Sequence, residues 1–170
     1  MKIINDYVRL ILFCVGLLLG IQVPAVTDQY SKRVDAKLLE SSQILAGFQL
    51  TADRYFSGSI EQLIHHYKQS NDVVFQQDAQ NVQYIFERVK RLETELEALQ
   101  GNSLSKVFHV MFRHDSAIMQ ETLSSYSYVI ILDPSAFLWG FACALTLSML
   151  IESFMKLLAL FVLRKKLPVN

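Results

Sequence analysis

The sequence predicts an all-α protein in which a transmembrane helical hairpin carries an inserted antiparallel helical bundle. Two apolar stretches, residues 7–26 and 137–163, lie near opposite ends of the 170-residue chain. Each reaches the roughly 20 helical residues that are needed to cross a hydrocarbon core. Between them, apolar residues recur at helical spacing in runs that are separated by turn signals. Together these observations indicate two spans and a helical insertion.

The apolar stretches set the domain boundaries. We predict a first transmembrane helix over residues 1–26, a helical domain over 27–133, a second transmembrane helix over 134–163 and a basic tail over 164–170. Asp133 and Pro134 suit the N-cap and the first position of the second span. The β-branched run at residues 128–132 indicates an extended segment just before it.

The charges are distributed unevenly along the chain. Residues 1–26 carry two basic and one acidic residue, and residues 135–170 carry four basic and one acidic. The central segment carries 10 basic and 14 acidic residues, net −4. Short flanks rich in Lys and Arg stay in the cytoplasm. We therefore expect both termini in the cytoplasm and the central domain on the other side of the membrane, which in a bacterium is the periplasm.

The N-terminal stretch also fits a cleaved signal peptide. Lys2 and Arg9 would form its charged region, residues 10–21 its apolar core and residues 23–25 its cleavage site. Both alternatives place the central domain outside the cytoplasm. The two cysteines, Cys14 and Cys143, fall in the apolar stretches, so we expect neither a disulfide in the domain nor a redox role.

The central domain begins with a long amphipathic run over residues 28–56, which the turn residues 57–59 end. Ser59 suits the N-cap of a short second helix over residues 60–67, and Gln62 completes a capping box. Two more short helices are predicted at residues 104–112 and 116–123. The sequence therefore indicates a bundle of one long and several shorter helices.

The third helix of the domain has the most regular spacing. Its apolar residues follow a 3-4-3-4-3 pattern that is typical of a coiled-coil seam: Val82, Ile85, Val89, Leu92, Leu96 and Leu99. The seam can pack against the first helix of the same chain or pair with another chain. It spans only about two and a half heptads, which favours packing within the chain.

Both apolar stretches carry small residues at helical spacing. Gly16 and Gly20 form a G-x-x-x-G pair, which permits close approach of another helix. The second stretch has a stripe four residues apart: Ala136, Gly140, Ala144 and Ser148. The two faces can pack together within one chain. Alternatively, one of them contacts a second subunit, as a homo-oligomer or with another inner-membrane protein.

The same stripe continues into two charged residues, Glu152 and Lys156. An i,i+4 pair near the cytoplasmic face is the simplest interpretation. Contact of Glu152 with a polar group on a partner helix and a role in a proton pathway are the alternatives. The basic cluster at Arg164 would put Glu152 near mid-membrane, whereas a span that slides inward puts it close to the interface.

No motif for catalysis, phosphate binding or redox chemistry is present, so we expect neither an enzyme nor a cofactor. His65 and His66 diverge by about 100° on one helix. His109 and His114 are five apart, whereas a helical metal pair prefers four. We expect no metal site, and surface or interfacial positions for the histidines. The acidic domain lacks a basic patch in sequence, which argues against nucleic acid as a partner.

Several short strings resemble one bacterial family. They are residues 16–24 (GLLLGIQVP), 28–30 (DQY), 45–49 (LAGFQ), 52–56 (ADRYF), 63–66 (LIHH) and 132–134 (LDP). In this order they are similar to the proteins grouped as domain of unknown function 2937, over nearly the whole chain. The resemblance implies a two-span inner-membrane protein of Gram-negative bacteria. It transfers no activity, ligand or catalytic residue.

The leading hypothesis is a non-enzymatic interaction or scaffold protein, which lies in the lipid bilayer and self-associates or serves as an accessory subunit. The first alternative is a periplasmic domain that senses a ligand or lipid and signals through a partner, since we expect no output domain after Lys166. An apolar cavity lined by aromatic residues would favour it: Tyr55, Phe56, Tyr67, Phe75, Phe108 and Phe112. A subunit of an oligomeric channel, with Glu152 in its lumen, is the weaker alternative.

Overall fold

The computed structural model describes the backbone of residues 2–126 and 134–165, and the side chains of residues 6–126, 134, 136–154 and 157. These residues form six helices without a strand, which confirms the predicted all-α class. They are α1 (Lys2–Tyr55), α2 (Ile60–Lys68), α3 (Val73–Ala98), α4 (Ser103–Phe112), α5 (Ser116–Ser124) and α6 (Pro134–Lys165). The extended run predicted at residues 128–132 and the Asp133 cap lie outside the described residues.

The chain forms two compact units. The apolar hairpin comprises Met1–Thr27 and Tyr126–Asn170, and the helical domain comprises Asp28–Ser125. Helix α1 contributes to both, where the sequence suggested two separate helices. Helix α1 continues through Pro24, although proline removes a backbone N–H donor and its ring crowds the carbonyl of the preceding turn. Near it, the Thr27 hydroxyl donates a hydrogen bond to the Val23 carbonyl at 2.9 Å.

Two helical stretches are long and apolar enough to cross a membrane, one within Asp6–Tyr55 and one over Ala136–Phe154. Most of each apolar window is exposed, whereas the core helix of a soluble protein would be mostly buried. Leu10, Leu19, Leu138 and Leu145, for example, are all exposed. Such surfaces fit a hydrocarbon environment better than water.

The helical domain has a core of two clusters. The first joins residues of four helices, namely Tyr30, Val34, Leu92, Leu99, Val110 and Ile118. The second lies at the junction of α1, α2 and α3 and contains Ala52, Ile60, Leu63, Ile64 and Val82. Helices α1 and α3 each supply residues to both clusters, so the domain packs around these two helices.

Polar side chains define where the short helices begin. Ser59, Asp72, Asn102 and Asp115 each accept a hydrogen bond from a backbone N–H in the first turn of α2, α3, α4 and α5. The predicted Ser59 cap is confirmed, with the Gln62 backbone N–H as its donor. Capping of this kind satisfies donors that have no partner within the helix.

Candidate functional site

The small residues of the apolar hairpin face each other. A Cβ atom added at Gly20 would lie 2.7 Å from the Gly140 Cα and from the Trp139 carbonyl oxygen. One added at Gly16 would lie 2.9 Å from the Ala144 Cα. Real Cβ atoms do not approach other atoms so closely, so the backbones of α1 and α6 meet only because these positions are glycine. The predicted faces therefore contact each other within one chain.

Other contacts follow the same antiparallel order along the hairpin. The Tyr126 hydroxyl donates to Gln22 Oε1 near one end, and the Phe13 and Phe141 rings lie 6.3 Å apart further along. The rest of the predicted stripe faces inward as well. Ala136 is buried, and the Ser148 hydroxyl oxygen is buried without a hydrogen-bond partner among the described residues.

Glu152 pairs with the other helix of the hairpin. Its Oε2 lies 3.5 Å from Arg9 Nη2. These two residues and Ser148 are among those that line a groove of about 310 Å³. The predicted partner, Lys156, has its side chain outside the described residues. Glu152 lies about 27 Å along α6 from Pro134. That length is close to the roughly 30 Å of a hydrocarbon core, so the pair lies near one end of the hairpin.

The coiled-coil seam lies in the core of its own chain. Val82, Val89, Leu92 and Leu99 are buried, and Leu96 packs against the first core cluster. Ile85 is partly buried. Since Leu92 and Leu99 contact α1, α4 and α5 residues, this seam is not free to pair with another chain.

A polar network joins four helices at the first core cluster. The Tyr30 hydroxyl, on a fully buried side chain, donates to Glu95 Oε1 at 2.5 Å and accepts from the Asp115 backbone N–H at 2.8 Å. His109 Nε2 lies 2.8 Å from the same Glu95 oxygen. The network connects α1, α3 and α4 with Asp115, the N-cap residue of α5. Each polar group of the network therefore has a hydrogen-bond partner, whereas a buried polar group without one would lower the stability of the fold.

Burial and the hydrogen bond to Glu95 raise the pKa of Tyr30 well above its ordinary value near 10. Above pH 10 the unfolded chain releases this proton while the folded protein keeps it. The stability from the retained proton is therefore complete below pH 10 and is lost as the pH rises further.

This pKa shift predicts an alkaline loss of stability that depends on Tyr30. We expect the free energy of unfolding of the wild type to fall by about 1.4 kcal/mol more per pH unit than that of Y30F above pH 10. Denaturant unfolding of both proteins between about pH 9 and about pH 11 measures the difference. Parallel curves for the two proteins would show that Tyr30 does not keep its proton.

The histidines divide into two pairs with different surroundings. His65 and His66 are exposed, as expected, and the His66 ring contacts Phe56. His109 and His114 are partly buried, which corrects the expectation of surface positions. His114 Nδ1 lies 2.7 Å from the Val110 carbonyl oxygen, and His109 belongs to the polar network. Among the described residues, no group of three His, Cys, Asp or Glu is placed to hold a metal.

A cleft of about 690 Å³ opens beside the polar network, and we call it the basic cleft. Its cationic lining comes from α1, α3 and the segment after α4: Lys37, Arg88, Lys90, Arg91 and Arg113. His114 lines it as well. Glu95, Asp115 and Glu121 also line it. The hydrogen bond from Lys37 lowers the pKa of Glu121, which keeps that carboxylate charged at the rim. Sequence analysis missed this basic patch because its residues are far apart along an acidic domain.

Helix α4 has two apolar faces. Val107 and Val110 are buried against the domain. A second face, which we call the outer face of α4, consists of large side chains that are 55–70% exposed: Leu104, Phe108, Met111 and Phe112. The Phe108 and Phe112 rings contact each other, with centroids 4.9 Å apart and their planes tilted by 44°. A contiguous exposed apolar surface of this kind commonly marks an interaction site.

The aromatic residues suggested for a ligand cavity do not enclose one. Tyr55, Phe75, Phe108 and Phe112 are exposed. Phe56 and Tyr67 pack against the second core cluster. These six residues are therefore divided between the core and the surface.

Comparison with known proteins identifies the family. A family model described as "Protein of unknown function (DUF2937)" matches residues 4–164. The match includes both apolar helices and the whole helical domain. No curated protein and no solved structure matches the chain significantly. The chain belongs to the DUF2937 family of proteins of unknown function.

Proposed function

We propose that this chain is a non-enzymatic interaction protein of the bacterial inner membrane, an accessory subunit that presents its helical domain to a partner protein in the periplasm. The outer face of α4 carries the proposal. Four large apolar side chains on one face of a ten-residue helix are exposed to solvent. Exposing this apolar surface to water costs free energy, and a partner that buries it would remove that cost. Aromatic residues of this type are also those enriched in interfaces.

The placement in the membrane is supported by the two candidate spans and by the charge pattern. The apolar helices expose most of their surface, as lipid-facing helices do. The flanking segments are basic and the domain between the spans is acidic. By the positive-inside rule, this pattern puts both termini in the cytoplasm and the helical domain in the periplasm.

Two observations favour a different protein as the partner over a second copy. The glycine faces of α1 and α6 are already in contact within one chain. The seam of α3 is buried in the domain. Self-association through either surface would require contacts within the chain to break. The outer face of α4 requires no such change.

The expected result of disrupting this face is loss of the partner. The F108S/F112S substitution removes two exposed aromatic rings and leaves Val107 and Val110 in the core. Chemical crosslinking in intact membranes of the native host should show a higher-mass adduct of the wild type. The double substitution should reduce that adduct by about tenfold or more, since burial of each ring contributes roughly 1.5–3 kcal/mol.

A matched control is available on helix α1. Leu39 and Leu50 are as exposed as the two phenylalanines but lie on a different element. The L39S/L50S protein should crosslink like the wild type. An adduct that is unchanged by F108S/F112S, or lost equally in both variants, would contradict an interface at α4.

Ligand sensing is the second candidate, and the basic cleft favours it. Its volume of about 690 Å³ is in the range of small-molecule sites. A small anion would then be the signal, rather than the apolar ligand that the aromatic residues suggested. The channel alternative is weaker, because Glu152 pairs with Arg9 of the same chain.

A further inference from the structure

We infer that the basic cleft is a docking site for an extended acidic segment of a partner protein. This inference deepens the proposed function, on which it rests for the existence of a protein partner.

Two arginines of the cleft carry charge that no neighbour neutralises. Lys37 binds Glu121 at 2.8 Å, Lys90 lies 3.4 Å from Glu61, and Arg88 is 4.0 Å from Glu40. By contrast, the guanidinium groups of Arg91 and Arg113 make no ion pair or hydrogen bond with any residue that the structure describes. Guanidinium forks bind carboxylates in bidentate geometry, so both are available to an anionic partner.

The shape of the cleft fits a chain rather than a single small ion. Along α3 its lining runs from Tyr84 to Glu95, with Arg88 and Arg91 on the same helical face. Eleven residues of helix correspond to about 16 Å, which is the length of about five extended residues. Apolar side chains of Leu92 and Ile118 line the cleft between the charged groups. A peptide with spaced carboxylates can use the cations and the apolar floor together.

The acidic residues of the cleft also favour spaced charges. Glu95 is held by Tyr30 and His109, and the Asp115 carboxylate accepts the backbone N–H groups of Ala117 and Ile118. These carboxylates lie in the lining of the cleft and would repel a compact polyanion such as pyrophosphate. A peptide whose carboxylates are spaced along the chain can place them next to the arginines and away from the acidic residues of the cleft, so the repulsion is smaller.

Peptide binding to the purified full-length chain tests the inference. The chain is placed in phosphatidylcholine nanodiscs, and fluorescein-labelled hexaglutamate is titrated by anisotropy, with hexaglutamine as the uncharged probe. We expect hexaglutamate to bind the wild type and hexaglutamine not to bind. The R91Q/R113Q substitution should weaken hexaglutamate binding by about tenfold or more, because it removes two charge-assisted contacts.

The controls separate this site from general electrostatics. R54Q/K68Q removes two exposed cations outside the cleft and should leave hexaglutamate binding unchanged. Circular dichroism should show equal helix content in all variants, since the guanidinium groups of Arg91 and Arg113 make no ion pair or hydrogen bond with a described residue. Equal loss in both double variants, or no hexaglutamate binding at all, would overturn the inference.

Titration with inorganic pyrophosphate tests the alternative that the basic cleft binds a small anion and not a peptide. If pyrophosphate binds in the cleft and hexaglutamate does not, the cleft is a small-anion site and the inference is wrong. This experiment uses the isolated chain and a synthetic peptide, so its result is independent of the crosslinking at α4. If the crosslinked adduct is absent but hexaglutamate binds, the proposed function alone is contradicted. If the adduct is present but hexaglutamate does not bind, only the docking site in the cleft is contradicted.

Discussion

Replacing Gly20 with leucine will force the two apolar helices apart and destabilise the hairpin by about 3 kcal/mol, the upper end of overpacking effects. The first atom of the new side chain would already lie 2.7 Å from two backbone atoms of α6, the Gly140 Cα and the Trp139 carbonyl oxygen. Backbone atoms cannot rotate out of the way as a flexible side chain can. The helices must therefore separate, which also weakens the contact between Gly16 and Ala144.

Gly47 provides the matched control, because it lies in the same helix and a Cβ there would meet no atom within 4 Å. G47A should stabilise the protein by about 0.5–1 kcal/mol through the higher helix propensity of alanine. Thermal unfolding of the wild type, G20L and G47A in nanodiscs measures both effects. A G20L protein that melts with the wild type would mean that the glycine faces are not in contact.

Replacing Tyr30 with phenylalanine will destabilise the helical domain by about 3 kcal/mol, because two partly buried groups lose a hydrogen bond at once. Glu95 loses its donor at 2.5 Å, and the Asp115 backbone N–H loses its acceptor at 2.8 Å. Since the ring of Tyr30 is fully buried and phenylalanine keeps that ring, the packing of the first cluster is retained. The effect therefore reports the hydroxyl group.

Denaturant unfolding at neutral pH gives the size of this effect, and amide exchange gives its location. Y30F should speed exchange of the Asp115 amide before any change appears at Val82 in the second cluster. Tyr55 is exposed, so Y55F should change stability by less than about 0.5 kcal/mol. If Y30F and Y55F have the same stability, the network does not hold the four helices together.

Local patterns in the sequence were sufficient to predict most of the helices. The predicted second helix, residues 60–67, corresponds to α2 (Ile60–Lys68), and the last two short helices match α4 and α5 within one residue at each end. Turn residues and caps act over three or four positions, so they can be recognised without knowledge of the tertiary structure. Pro24 shows the limit of this approach. It lies beside the predicted boundary between the span over residues 1–26 and the amphipathic run over 28–56, yet α1 continues through both as one helix.

The polar network and the basic cleft could not be predicted in the same way. Tyr30 is 65 residues from Glu95 and 85 from Asp115, and nothing in the local pattern of either links them. Lys37, Arg91 and Arg113 likewise meet only after α1, α3 and α4 have packed. The domain as a whole carries a net negative charge, so its composition did not indicate the local excess of cations. Arg9 was missed as a partner of Glu152 for a related reason, since it is distant in sequence and adjacent in the hairpin.

The proposed function makes this chain an accessory subunit for another membrane protein. The most direct test extracts the protein from its native host into lipid nanodiscs without detergent, measures the intact mass of the particle and identifies every polypeptide in it. We expect this chain together with a second protein at a fixed stoichiometry. Particles that contain this chain alone, as one copy or several, would contradict the claim.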